Sequence, residues 1–423
     1  MFYEFVSFDE LYQAYLDCKK RKRSTHNCKS FEINECKNLY ILYNELNNFK
    51  YKIGRSTAFI FHEPATNHYR EIFAADFRDR VVQHLVVNRI IKIFEYEWTD
   101  YSFSCRKDKG TLYGVKCLYN DIKEASENYT KDCYVSNFDI YSFFASLDKD
   151  LLYDYIKQII YDNDNLLTVY NKEHHSRKDT LYTIYLIKLI LYNDPRKNCI
   201  FKQPKSFWKN IPPHKSAFHA IDKHYLAVGN VTSQLFANIF VARIINILRY
   251  EYGIRCGIYV DDLYSINMTL EEFELVKEIL NRELTNRHLK LQQQKTHIQP
   301  YQNGVKFIGR VIKKDRIYIL NKTKGKFIKR LKYFANEYEQ GKLTIKDLEY
   351  IVACINSYLG MMIHCNSYNL RKKILNDIKL MPFGKYLYVN EKLTKVMIYQ
   401  DYIEIHKRKH KYYNQVKHKS DAT

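Results

Sequence analysis

The sequence predicts an α+β protein of two or three cooperating domains. Three observations predict it. At 423 residues the chain is long for a single domain. Apolar residues at helical spacing mark residues 1–50 and 316–400. Between them, short runs of β-branched and aromatic residues alternate with helical stretches. The hydrophobic fraction of 46% is sufficient for a real core.

The elements follow in order. In "FDELYQAYLDCKKRKR", Phe8, Leu11, Tyr12 and Tyr15 fall on one helical face, and a basic run closes the segment. "NCKSFEINEC" is assigned no element, and a second helix runs through Leu39, Leu42 and Leu46. "STAFIFHEP" reads as a strand. "NHYREIFAADFRDRVVQHLVVNRIIKIFE" begins as a strand and ends as a helix. "SFSCRKDKGT" (102–111) is a basic loop, and a helix from 112 to about 127 leads into the strand "DCYVSNFDI". Two helices then precede an irregular insertion, all within 157–227, that holds Pro195, Pro204, Pro212 and Pro213. Long loops of this kind commonly bind ligands. A helix follows "GNVTSQ", another spans 270–287, and strands occupy 305–320. Phe327, Leu331, Phe334 and Tyr338 form a core stripe that Gly341 ends. "TIKD" (344–347) N-caps a helix carrying Leu348, Ile351, Ile355 and Leu359, so the last hundred residues read as helical. The tail, 401–423, is basic and loose, and there is no internal repeat.

Charge narrows the function. Lys and Arg number 68 against 47 Asp and Glu, a net charge of +21, which favours polyanions and nucleic acid above all. The 39 Tyr and 24 Phe offer stacking surfaces for bases, although an AT-rich genome also over-supplies Tyr. Ten scattered cysteines contain no CxxC pair, which argues against a zinc ribbon and for reduced thiols in the cytoplasm. "MFYEFVSFDELYQAY" is charged and amphipathic, unlike a secretory start, and the apolar runs fall short of a membrane span.

The chemistry concentrates in "RCGIYVDDLYSINM" (255–268). Asp261 and Asp262 lie between two strand-forming runs, which predicts a hairpin with both carboxylates at its tip. Adjacent carboxylates repel. "YVSNFDIYSFFASLDKDLL" puts Asp139 at the end of another strand, where α/β proteins place their sites. Three carboxylates brought together by the fold would make an oxygen-rich cage for two Mg²⁺ ions about 4 Å apart.

"REIFAADFRDRVVQHLV", "SFSCRKDKGT", "FDIYSFF", "VGNVTSQLFANIF", "IYVDDL", "LQQQKT" and "VKFIGRVI", in that order, resemble the successive motifs of reverse transcriptases. The resemblance runs from about residue 8 to residue 375. It implies a right-hand polymerase fold and an RNA-directed DNA polymerase. The parts would be an N-terminal helical segment (1–50), fingers (51–130), a palm of antiparallel sheet plus helices (131–315) and a helical thumb (316–400).

It also implies roles. Asp139 and Asp261, with the carbonyl of Ile140, would hold both metals, and Asp262 would support them. Lys295 would protonate pyrophosphate and Arg70 would bind the triphosphate. The N–H groups of Ser142 and Phe143 would cradle phosphate, and Phe144 would be the steric gate that favours dNTPs. Val228, Gly229 and Gln234 would shape the nucleotide pocket. Arg78, Arg106, Lys107, Lys109, Phe307 and Gly309 would meet primer and template.

The subfamily is also implied. Most reverse transcriptases carry a Gln-Gly…Ser-Pro pattern before YxDD. Here Val228 replaces the glutamine and Gln234 the proline. With "PPHKSAF" and "INSYLGMMIHCNSYNLRKK", this resembles the enzymes of diversity-generating retroelements. Those copy a template-repeat RNA with errors at adenines, and the cDNA replaces a variable region by mutagenic retrohoming. Their partners are the RNA, the RNA/cDNA duplex, dNTPs and a small basic helical accessory protein that is oligomeric. No segment reads as an RNase H or HNH endonuclease. The rivals are a retron, phage-defence or intron-type reverse transcriptase of ordinary fidelity, and a non-catalytic RNA-binding scaffold.

Overall fold

A computed structural model describes residues 3–20, 22–63, 68–169, 175–340 and 345–401. The chain divides into two compact units, Met1–Tyr301 and Gln302–Thr423.

The first unit begins with helices α1 (Phe8–Lys19), α2 (His26–Glu32) and α3 (Glu35–Asn47). Strands β1 (Ser56–Glu63) and β2 (His68–Ala74) follow, then the long helix α4 (Phe77–Glu97) and α5 (Thr111–Ala125). Next come β3 (Tyr134–Asp139), the single turn α6 (Phe143–Ser146), α7 (Lys149–Asp162), α8 (Arg177–Tyr192) and β4 (Cys199–Phe201). The unit closes with α9 (Val231–Asn246), β5 (Cys256–Tyr259), β6 (Asp262–Asn267), α10 (Leu270–Thr285) and β7 (His297–Pro300).

Local chemistry explains many of these boundaries. Ser7 caps α1 by accepting the Glu10 N–H, Asp76 caps α4 from Arg78, and Asp148 caps α7 from Asp150 and Leu151. Leu11, Ala14, Tyr15 and Cys18 of α1 are buried in the core cluster that also holds Val81, Leu85 and Ile90 of α4. The short helix α2 was not foreseen. Its seven residues bury only Cys28 and Phe31, too brief a pattern for a periodicity argument.

Two sheets matter for function. A three-stranded sheet has the order β2-β1-β4, in which β4 comes from the irregular insertion and runs parallel to β1. A four-stranded antiparallel sheet has the order β5-β6-β3-β7, so β6 and β3 are central. Helix α9 and the π-turn after it, Val231–Glu251, are long and apolar enough to cross a membrane by composition. This corrects the expectation that every apolar run is too short. Most of the segment is buried in the protein core, which accounts for its composition.

The second unit carries a three-stranded sheet of β8 (Val305–Phe307), β9 (Arg310–Lys313) and β10 (Arg316–Ile319). Helices α11 (Asn321–Glu339), α12 (Ile345–Met362) and α13 (Tyr368–Lys379) follow, then a hairpin of β11 (Leu387–Val389) and β12 (Val396–Ile398). Phe327, Leu331, Phe334, Leu348, Ile351, Ile355 and Leu359 are buried together with Ile374 and Ile378. The expectation of an all-helical last segment is therefore corrected by the β11–β12 hairpin. Its three-residue strands are too short to show alternation. Asn356 of α12 holds β12 in place, donating to the Val396 carbonyl at 2.8 Å and accepting its N–H at 2.7 Å. Gly341, the Thr344 cap and the basic tail beyond 401 lie outside the described residues.

Candidate active site

The central strand pair assembles the three carboxylates. β3 and β6 pair from Tyr134↔Asn267 to Asp139↔Asp262, so the last residue of one strand faces the first of the other. Tyr259 of β5 flanks Asp262 on the opposite side. The hairpin turn between β5 and β6 consists of Val260 and Asp261. Only Asp261 therefore lies in the turn, and the expectation of two carboxylates at the tip is corrected. Asp262 is a strand residue because it takes part in the ladder.

The turn is strained. Val260 has φ +62°, where a β-branched side chain is disfavoured and glycine is usual. Neighbours over-determine it. The Ile140 N–H donates to the Asp261 carbonyl at 3.3 Å, which ties the turn to the end of β3. Behind the hairpin, Tyr264 donates to Asp121 at 2.7 Å and Asn267 donates to Ser136 at 2.5 Å. Gly257 is required here, since a Cβ would lie 2.7 Å from the Phe103 ring and 2.8 Å from Tyr264.

Charge at the site is only partly compensated. Burial, then the Asp139 charge, pushes the Asp261 carboxyl above the usual carboxylate range. The surrounding protein, then Asp261 and Asp139, pushes Asp262 up to about 7, although water still reaches its side chain. Lys295 donates to Asp139 Oδ2 at 2.6 Å from a mostly exposed side chain. The Gln292 N–H donates to the Asp139 carbonyl at 2.7 Å and so brings the Gln293–Lys295 turn alongside. The positive charge of Arg70, exposed on β2, also reaches Asp261 and Tyr259.

The donor set fits a divalent cation. Three hard oxygen donors crowd together and two of them have a raised proton affinity. Among the described residues no three His, Cys, Asp or Glu side chains already converge on one point. The Lys295 ammonium holds Asp139 instead.

The other residues singled out in the sequence are placed as follows. Ser142 is left-handed at φ +48° and opens α6, so the first amides of that turn, including Phe143, are not used by the helix. Phe143 is buried and Phe144 half-buried, their rings 5.4 Å apart. The Val228 carbonyl accepts the Phe73 N–H at 3.2 Å, joining this segment to β2. Gly229 has φ +110°, and a Cβ there would meet Ile72 at 2.9 Å. Gln234, exposed on α9, accepts from the Cys105 thiol at 3.3 Å.

Three of the basic residues are engaged internally. Arg78 pairs with Glu45 and stacks on Tyr51. Arg106 donates to the Thr99 and Ser102 carbonyls and stacks on Trp98. Lys109 pairs with Asp100 at 3.0 Å over the Tyr113 ring. Lys107 is exposed. Phe307 is buried, and Gly309 at φ +78° lies in the β8–β9 turn of the second unit.

The family model for reverse transcriptases (RNA-dependent DNA polymerases) matches residues 61–312, more than half the chain. The chain belongs to the reverse transcriptase family. Its α+β fold is that of the right-hand polymerases, and members of the family are nucleotidyltransferases. None of the curated proteins matches this reverse transcriptase. Among solved structures it is similar to telomerase from Candida albicans in complex with a TWJ fragment of telomeric RNA. The identity is 12% and the TM-score 0.45, covering 79% of this chain and 55% of that one. It is similar also to apo telomerase from Candida tropicalis, at 12% identity and TM-score 0.43, covering 81% and 63%. This reverse transcriptase thus spans about half the length of the telomerases it matches, and at these scores the likeness adds nothing to the assignment.

One residue escaped the sequence reading. Glu71, next to Arg70, is 4% exposed and accepts from Trp208 Nε1 at 2.7 Å, Ser216 Oγ at 3.1 Å and the Ala217 N–H at 2.5 Å. It fastens the irregular insertion to β2. Burial raises its carboxyl above the usual range, against those donors. The available signal was a carboxylate two residues from Phe73, on what strand alternation makes the inward face.

Proposed function

We propose that this reverse transcriptase makes cDNA from a template-repeat RNA, with errors at template adenines, for mutagenic retrohoming into a variable region. It would do so in the cytoplasm, with dNTPs as substrates and a small basic helical oligomeric accessory protein as partner. The observation that carries the reading is the pocket wall. Val228 offers no polar side-chain atom where the family pattern has a glutamine, and the Gln234 Oε1 accepts from the Cys105 thiol. An apolar residue at 228 cannot penalise a wrong base pair by leaving a polar group unpaired there. The resemblance of this segment and of "PPHKSAF" to retroelement enzymes supports the same conclusion.

In this reading Asp139 and Asp261, supported by Asp262, would hold two Mg²⁺ ions, which activate the 3′-hydroxyl and stabilise the leaving pyrophosphate. Lys295 holds a proton close to that exchange, and its release from Asp139 makes it available to pyrophosphate. Arg70 orients the triphosphate with a planar cation. Phe144 excludes a ribose 2′-hydroxyl.

Primer extension on an adenine-containing RNA template, with sequencing of the cDNA and D261N/D262N as control, tests the proposal. The expected result is Mg²⁺-dependent extension, lost in the control, with errors concentrated opposite adenine. Faithful extension would keep the polymerase and reject the retroelement role in favour of a retron, phage-defence or intron-type enzyme. No extension, even with accessory protein and native RNA, would leave an RNA-binding scaffold.

A further inference from the structure

Most of the insertion between α8 and α9 carries positive charge without acid. Residues 195–221 contain six cations (Arg196, Lys197, Lys202, Lys205, Lys209 and Lys215) and no Asp or Glu. Arg196 is used internally, forming a fork on Asp194 at 2.8 Å and donating to the Ala217 carbonyl at 3.0 Å. Lys202, Lys205, Lys209 and Lys215 are exposed.

Aromatic rings lie among them. Phe207 is 44% and Phe218 42% exposed. Phe218 also packs against Phe73 at 5.9 Å and Phe201 at 6.1 Å, so it is held from below while remaining accessible. A loop with this composition would ordinarily be a solvated, shifting surface. This one is fixed. β4 pairs with β1, Gln203 accepts the Ile60 N–H at 2.8 Å, and buried Glu71 anchors Trp208, Ser216 and Ala217. The platform also reaches the catalytic strand. His214 stacks on Tyr141 at 5.3 Å, and Tyr141 is two residues beyond Asp139.

We propose that residues 195–221 form a docking platform for single-stranded RNA, the unpaired part of the template next to the catalytic strand. The inference rests on the reading of the chain as an RNA-templated polymerase. Exposed lysines suit a phosphate backbone and half-exposed, pre-positioned rings suit base stacking. Acid-free positive charge disfavours a basic protein as the occupant, since like potentials repel.

The test uses the full chain and fluorescence anisotropy without Mg²⁺ or dNTPs. Two labelled primer–template duplexes share one paired region. One ends in a single unpaired RNA nucleotide and the other in an unstructured RNA overhang of about 20 nucleotides. The wild type is expected to prefer the long overhang about tenfold, and K205E/K209E to erase that preference while binding the short one as before. K205Q/K209Q should lower the salt slope by about 2 on the long overhang alone. F207A, which leaves charge untouched, should weaken the long overhang only.

Equal weakening on both duplexes would overturn the proposal, because a diffuse field and not a platform would be at work. No weakening on either would overturn it too. So would retained overhang binding with lost affinity for the accessory protein, which would make the insertion a protein-docking surface. Because binding is read without catalysis, failure here is distinct from failure to extend a primer.

Discussion

Two groups of charges in the first unit are treated in opposite ways. Arg89 is fully buried, and every contact it makes is compensated. It donates twice to Glu10, at 2.6 and 2.7 Å, to Thr183 at 3.1 Å and to the Phe5 carbonyl at 2.6 Å. Asp139, Asp261 and Asp262 are gathered with equal care by strand register and a strained turn, yet their charges oppose one another. The first cluster joins α1 to α4 and needs nothing more. The second is incomplete as a stabilising device, and that is how a fold marks the place where something else must bind.

The sharpest way to break this comparison is Asp261→Asn. Polymerase activity should fall by a factor on the order of 10³ or more, because a group that holds transition-state charge is lost. Thermal unfolding should be unchanged or slightly raised, because repulsion is relieved. A large loss of stability would show that the carboxylates are structural after all. Arg89→Met is the mirror experiment. It leaves Glu10 buried and unpaired and should cost about 3–5 kcal/mol in urea unfolding. A cost near zero would remove the contrast.

Gly257→Ala sharpens the comparison at the hairpin. The added methyl meets Phe103 and Tyr264, and overpacking of this kind costs about 1–3 kcal/mol. Stability and primer extension should fall together here, unlike in Asp261→Asn. The smallest effect concerns His84 of α4. Burial, then Lys22, holds its pKa down at about 4. Below pH 6.5 the unfolded chain takes up this proton and the folded one does not until about pH 4. The stability contribution is thus fully present above pH 6.5 and lost as pH falls towards 4. His84→Gln should flatten the melting temperature across that window, measured against the wild type in matched buffers.

Much of this was legible in the sequence, for reasons that differ by element. Long periodic helices such as α4 and α11 announce themselves by a buried stripe, and β3 by its run of strand formers ending in Asp139. The α2 helix and the β11–β12 hairpin did not, because seven or three residues are too few for a period. The carboxylates were found by type and spacing. Their geometry was not, because whether Asp262 lies in the turn or the strand depends on a φ of +62° at Val260, which propensity argues against. Glu71 was invisible for a different reason. Its partners Trp208, Ser216 and Ala217 are more than 130 residues away, and only tertiary structure joins them.

The β3–β6 register has a consequence in time. Asp139 leaves the ribosome well before the strand that completes it, and β7, the outer neighbour of β3, comes later still. During that interval β3 is a row of unpaired amides and carbonyls. A slip of one residue when β6 arrives would turn every side chain to the wrong face of the sheet. A nascent chain that ends before β6 therefore has no catalytic centre. The three carboxylates meet only when β6 pairs with β3 in this register.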